Sequence, residues 1–377
     1  MTDPCIALLR DLVAIDSVNP SLVPGAAGEG QIASAIGQHM RGIGLDVHVQ
    51  EVVPGRPNVI GVLEGAEAGR SLLLCGHTDT VGVEGMRAPF DPVERDGRLY
   101  GRGSQDMKAG VAAMIDAARL ARTGGFRKGR LIVAAVVDEE YASIGADALV
   151  TAWTADAGIV TEPTGLQIGV AHKGFAWAEI EARGRAAHGS RPADGRDAIL
   201  RMGRILHRLE QLDRDLQSSP RHPLMGTGSL HASIIDGGRE LSSYPDRCRL
   251  QLERRTVAGE TAETFGGEIE QILTDLRNED PGFEASARLL FARAAYELPG
   301  GHDLPQALTL AAARAGVSAG AIGMSFWTDA AVLGGAGIPS VLFGPGGAGL
   351  HSTEEYVHVT DVMACRDTLA ALALEWC

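Results

Sequence analysis

Residues 72–79 read LLLCGHTD: four buried-type side chains in succession, a glycine, then a histidine and an aspartate two residues apart. The pattern recurs along the chain. LIVAAVV at 131–137 runs into Asp138, Glu139 and Glu140, AGIV at 157–160 into Thr161 and Glu162, and SVLF at 340–343 into a glycine-rich loop that ends in His351. Short apolar runs bounded by Gly, Pro or charged residues are what strands buried on both faces require, and such strands belong to parallel sheets. Helical spacing lies between them. Met107, Val111, Met114 and Ala118 fall on one helical face, as do Ile32, Ile36, Met40 and Ile43. The alternation predicts an α/β domain with a mostly parallel sheet flanked by helices.

In open α/β sheets, ligands bind in the crevice beyond the carboxyl ends of the strands, so these four runs would deliver His and acidic residues to one edge. The loop YGRGSQDMKAG (100–110) adds Asp106 at the start of a long helix, with Gly101 and Gly103 permitting tight backbone geometry. Two imidazoles and a set of carboxylates suit Zn, Co or Mn rather than thiol-seeking ions. In the HTD segment, side chains at i and i+2 of an extended chain point the same way, so Asp79 is expected to accept the second N–H of His77 and fix its tautomer. Glu139 and Glu140 point oppositely, which lets one bind metal while the other faces a water as general base. Alone, an HxD, an EE pair or a histidine in a glycine loop is commonly a surface feature; their joint occurrence at strand ends carries the reading.

From about Lys173 to Leu298 the pattern changes. The alternating run FAWAEIEA is followed by the helical AILRMGRILHRLEQLDRDL, the strand-like LHASII and CRLQLERR, the helical TFGGEIEQILTDLRN and the strand-like EASARLLFA. This β-α-β-β-α-β order predicts an inserted ferredoxin-like α+β domain at 173–298. The catalytic domain is then discontinuous, built from 1–172 and 299–377. A length of 377 residues agrees with two domains, since single cores stop growing at roughly 250–300 residues.

The 34 basic and 48 acidic residues give a net charge of -14, which repels phosphate backbones and anionic membrane surfaces and argues against nucleic acid as a partner. No apolar run approaches the roughly 18 residues of a membrane span. The opening MTDPCIALLRDLV is acidic and lacks a cleavage pattern, so a secretory signal is not expected and the cytoplasm is the expected location. Five scattered cysteines with no CxxC pair argue against a disulfide framework or a cysteine zinc site.

CGHTDTV, GRGSQDMKAG, VDEEYASIGA, TEPTG and GLHSTEEYV together resemble the co-catalytic zinc peptidase and deacylase family of acetylornithine deacetylase, succinyl-diaminopimelate desuccinylase and the carboxypeptidase G-type enzymes. The resemblance covers essentially the whole chain and implies a zinc-aminopeptidase-like catalytic domain and an inserted dimerisation or lid domain. It also implies two divalent ions per chain, Zn or Co. His77 and Glu162 would hold one ion and Glu140 and His351 the other, with Asp106 bridging and the Asp106–Met107 peptide cis. Glu139 would be the base that deprotonates a water held between the metals, and Asp79 would orient His77. His188 in RAAHGSRP matches the family histidine that stabilises the oxyanion, often from a partner subunit. Arg255 in ERRT, with Lys173 in AHKG as a weaker candidate, stands where relatives grip the substrate carboxylate, a role suited to the planar fork of Arg. One departure is LSSYPDRC, where Ser242 and Ser243 replace the usual Asn before the proline.

The implied activity is release of the acyl group from an N-acyl amino acid carrying a free carboxylate. The alternatives are a desuccinylase, a carboxypeptidase or a dipeptidase of the same family, or a non-catalytic metal or metabolite binding protein. Glu rather than Asp at 162 looks like the deacylase and carboxypeptidase branches, and a homodimer through the inserted domain is the expected assembly.

Overall fold

A computed structural model describes residues 3–377, which divide into two compact units. The first comprises the described residues up to Val170 together with Leu298–Ile322 and Thr328–Cys377. The second comprises Ala171–Glu297 with Gly323–Trp327.

At the centre of the first unit the strands Lys128–Val136, Glu67–His77, Ala157–Val160 and Ser340–Leu342 lie side by side, each pair parallel. Leu72–Cys75 and Leu131–Val137 are almost wholly excluded from solvent, which is the physical reason these runs carry no polar side chain. The sheet is mixed rather than uniformly parallel. An antiparallel hairpin, Asp46–Val53 with Arg56–Glu64, adds to Lys128–Val136 at one side, and Ile168–His172 joins Ser340–Leu342 antiparallel at the other. Helices Pro4–Val13, Gly30–Gly42, Lys108–Thr123, Leu304–Arg314 and Val359–Trp376 supply the remainder of the core.

Helix Lys108–Thr123 is buried along most of its length. Gly110 makes its docking possible: a Cβ there would stand 2.1 Å from the Thr161 carbonyl oxygen, so only glycine lets the helix approach the end of strand Ala157–Val160. That close approach brings the Asp106 and Glu162 loops together. A small antiparallel sheet, absent from the sequence reading, runs Gly347–Ala348, Tyr356–His358, Arg98–Tyr100, Val93–Arg95.

In the second unit Gly174–Arg183, Ala198–Ser218, Ser229–Gly237, Arg247–Thr256, Ala262–Glu279 and Glu284–Arg293 follow in the order β-α-β-β-α-β. The four strands form an antiparallel sheet in the order Ser229–Gly237, Arg247–Thr256, Gly174–Arg183, Glu284–Arg293. This is ferredoxin-like topology. Arg247–Thr256 alternates buried and partly exposed residues, and its buried set packs with Ile205, Leu209, Phe265 and Leu273 of the two helices. Asp197 and Thr261 cap those helices through Leu200 N and Thr264 N.

The division differs from the sequence-based bounds at GMSFW. Gly323–Trp327 belongs with the second unit, where Met324 O accepts from Lys173 N (3.3 Å) and Trp327 Nε1 donates to Ala294 O (3.1 Å). No helix among the described residues is long and apolar enough to cross a membrane.

Candidate metal centre

Strand Glu67–His77 ends on His77, which is buried with its ring held between two sets of acceptors. On one side Nδ1 lies 3.0 Å from the Asp79 carbonyl oxygen. A carbonyl only accepts, so Nδ1 carries the proton and Nε2 faces the acids. Nε2 is 3.2 Å from Asp106 Oδ1 and 3.9 Å from both Glu139 Oε2 and Glu162 Oε1.

Asp106 is presented by the loop that enters helix Lys108–Thr123, and the Asp106–Met107 peptide is cis. Its carboxylate faces both histidines with opposite oxygens: Oδ1 toward His77, and Oδ2 3.4 Å from His351 Nε2. His351, half-exposed and at a φ of 59°, also reaches Glu140 Oε2 at 3.1 Å. The donor atoms of His77, Glu139 and Glu162 lie within 4.8 Å of one another, and so do those of His77, Asp106 and Glu140. Glu139 therefore stands in the same group as Glu162.

Asp79 meets the His77 ring through both its main chain and its side chain. The nearer partner of the His77 ring is the Asp79 main-chain oxygen, with the carboxylate at 3.5 Å. The carboxylate also accepts from Asn19 Nδ2 (2.8 Å) and from the backbone N–H groups of Glu139 and Glu140 (3.1 Å each). Those bonds fix the loop that carries both glutamates. Its neighbour Asp138, at a φ of 67°, accepts from Arg56 Nη2 (2.8 Å), and Arg56 grips Glu29 with two nitrogens at 2.7 and 2.6 Å. Sequence reasoning did not find Asn19, Glu29 or Arg56, because no local spacing links them to the acidic loop.

Four carboxylates around two imidazoles leave a negative excess, and the titration directions record it. Burial raises the Glu139 carboxyl well above its usual range, with Glu162 adding to it; burial likewise raises Glu162. Burial, then the Asp106 charge, pushes Glu140 up to about 7. For Asp106 burial would raise the value, but hydrogen bonds with His351 and His77 outweigh it and hold the carboxyl well below its ordinary value. Burial opposes charge on His77, yet Asp106 and Asp79 raise it well above the usual imidazole value; hydrogen bonds with Asp106 and Glu140 push His351 up to about 10. Such a pocket favours positive charge at its centre. Glu140 Oε1 is buried with no hydrogen-bond partner among the described residues, and a donor set of imidazole nitrogens and carboxylate oxygens fits borderline divalent ions.

Three expected site residues belong to the second unit. His188 is exposed, with Nδ1 2.8 Å from Ser190 Oγ. Arg255 pairs with Glu253 (2.6 Å) and lies 5.6 Å over the Phe175 ring. Lys173 donates to the Thr227 carbonyl (2.7 Å), and burial followed by the Arg255 charge lowers its pKa.

The model of peptidase family M20/M25/M40 matches residues 73–375. The chain belongs to this family. Acetylornithine deacetylase of Myxococcus xanthus is 32% identical over 98% of this chain and 97% of its own length. N-formyl-4-amino-5-aminomethyl-2-methylpyrimidine deformylase of Bacillus subtilis is 29% identical over 99% of this chain and 94% of its own. Among solved structures, a dinuclear metal binding M20 peptidase of Bacillus subtilis superposes with a TM-score of 0.75 at 18% identity, covering 98% of this chain and 97% of that one, a likeness of fold. As an M20 member the chain is a metal-dependent hydrolase of the peptidase and deacylase class.

Proposed function

We propose that this M20 hydrolase is a deacylase of N-acyl amino acids that works with two zinc or cobalt ions. The observation that carries the reading is the Asp106 carboxylate, whose two oxygens face His77 and His351 separately. Around it, His77 and Glu162 would hold one ion, Glu140 and His351 the other, and Asp106 both. When bound, such ions supply Lewis acidity that polarises the scissile carbonyl and makes water acidic near neutral pH.

The chain's own groups supply the remainder. Glu139 takes the proton of the attacking water and returns it to the leaving amine, and its burial raises its proton affinity toward that of a useful base. Asp79 holds the Glu139 and Glu140 backbone N–H groups, so the base and the ligand next to it keep fixed positions. His188 is proposed to donate to the developing oxyanion and Arg255 to bind the substrate carboxylate, with Lys173 the weaker candidate because its ammonium already serves Thr227. A homodimer through the inserted domain and a cytoplasmic setting complete the reading.

The deacetylase and the deformylase named above both remove an acyl group by their names, which favours deacylation over dipeptide cleavage. Purified protein incubated with N-acetyl amino acids, N-succinyl-diaminopimelate and dipeptides should release amine from the acyl amino acids. Hydrolysis confined to dipeptides overturns the proposal in favour of a peptidase.

A further inference from the structure

Glu355 lies four residues beyond His351, is almost wholly buried, and gathers four donors of the Asp106 loop. Its Oε1 accepts from the backbone N–H groups of Gln105 (2.8 Å) and Asp106 (3.1 Å), and its Oε2 from Gly103 N (3.0 Å) and Arg102 Nη1 (2.7 Å). Arg102, also buried, sends its other terminal nitrogen to the Ser352 carbonyl (2.9 Å), next to His351. The Glu355 main-chain oxygen accepts from Gly101 N (3.2 Å), and Tyr100 pairs with Tyr356 in the small sheet. Two loops, one ending on Asp106 and the other beginning on His351, are thereby tied at both ends.

We infer that Glu355 and Arg102 form a clamp that sets the separation of Asp106 from His351, and so act as positioning residues for the ion held by Asp106, Glu140 and His351. This rests on the two-ion reading above. The ring of His351 stands half-exposed on a backbone at a φ of 59°, and among the described residues its close acidic partners are Asp106 and Glu140. Its position relative to Asp106 therefore depends on what holds the two loops together. His77, by contrast, is anchored by its own strand and by Asp79, so the ion held by His77, Glu162 and Asp106 would have one ligand on a clamped loop rather than two and depends less on the clamp.

The chemistry of a single substitution isolates the effect. In Glu355→Gln one acceptor becomes an NH2 donor, and whichever way the amide turns it meets two donors: Gln105 and Asp106 N–H, or Gly103 N–H and the Arg102 guanidinium. Either orientation breaks one arm of the clamp while leaving side-chain volume unchanged. Arg102→Lys is the second variant, since one ammonium cannot span Glu355 and the Ser352 carbonyl as the guanidinium fork does.

The test is metal uptake by apo-protein, titrated with zinc in competition with a chromophoric chelator, alongside circular dichroism and thermal unfolding. Wild type is expected to bind two equivalents, and His351→Ala identifies which belongs to the His351 half. In folded Glu355→Gln and Arg102→Lys, affinity for that equivalent should fall at least tenfold while the other changes less than threefold. Equal weakening of both equivalents, or wild-type affinities in the folded variants, overturns the clamp. Uptake of fewer than two ions by wild type overturns the two-ion reading beneath it, a different result. Should Glu355→Gln not fold, Arg102→Lys decides by the same criteria.

Discussion

His172 couples the stability of the folded protein to pH. It sits at the end of strand Ile168–His172, fully buried, with Nδ1 3.0 Å from the Lys173 carbonyl and Nε2 without a hydrogen-bond partner among the described residues, beside the rings of Tyr296 and Trp327. Burial lowers its pKa from 6.5 to about 4, against a weaker opposing effect of the Lys173 carbonyl. The folded protein thus binds fewer protons at this site than the unfolded chain between those two values. Stability from the neutral ring is complete above the unfolded pKa and is lost as pH falls from about 6.5 to about 4. At pH 5 the loss comes to about 2 kcal/mol, and below pH 4 it approaches about 3 kcal/mol, taking about 1.4 kcal/mol per pKa unit. His172→Phe keeps an aromatic ring of similar size and removes the titration. Urea unfolding followed by tryptophan fluorescence at pH 7.5 and pH 5 should show wild type losing about 2 kcal/mol more than the variant over that interval. Parallel pH profiles for the two proteins would refute the reasoning.

Glu139→Ala should retain both ions by elemental analysis while turnover falls at least about 100-fold, the range typical of removing a general base; undiminished turnover removes Glu139 from the mechanism. Gly110→Ala forces a Cβ to 2.1 Å from the Thr161 oxygen, so it should lower unfolding free energy by about 1–3 kcal/mol or more in urea titrations. Treatment with a chelator should abolish hydrolysis, and adding Zn or Co should restore it; activity unaffected by exhaustive chelation argues against the metal-dependent mechanism.

Much of the site could be read from the chain because parallel strands buried on both faces leave an unmistakable apolar signature, and because chemistry then falls where those strands end. His77, Glu139, Glu140 and Glu162 each follow such a run; the donor atoms of His77, Glu139 and Glu162 lie within 4.8 Å of one another, as do those of His77, Asp106 and Glu140, and His351 lies 3.1 Å from Glu140. The hairpin of Asp46–Val53 and Arg56–Glu64 left a weaker trace. Its first strand is exposed or half-exposed throughout, so burial imposed no clear pattern on it. The small sheet that pairs Tyr100 with Tyr356 joins segments more than 250 residues apart through strands only two or three residues long, too short for periodicity to register. Charge partners are equally invisible in sequence. Arg56 finds Asp138 and Glu29, Glu355 finds Arg102, and Lys173 finds a carbonyl, because the fold makes them neighbours. GMSFW joined the second unit for the same reason: its backbone bonds there are specified by tertiary contacts, while its sequence position lies within the stretch that otherwise rebuilds the first unit.

The most direct measurement is anomalous diffraction at the zinc edge from crystals grown with zinc. The two-ion account predicts two peaks about 3.5–4 Å apart, one beside His77 and Glu162, the other beside Glu140 and His351, with Asp106 touching both. A single peak, or peaks that leave Asp106 uncoordinated, contradicts it.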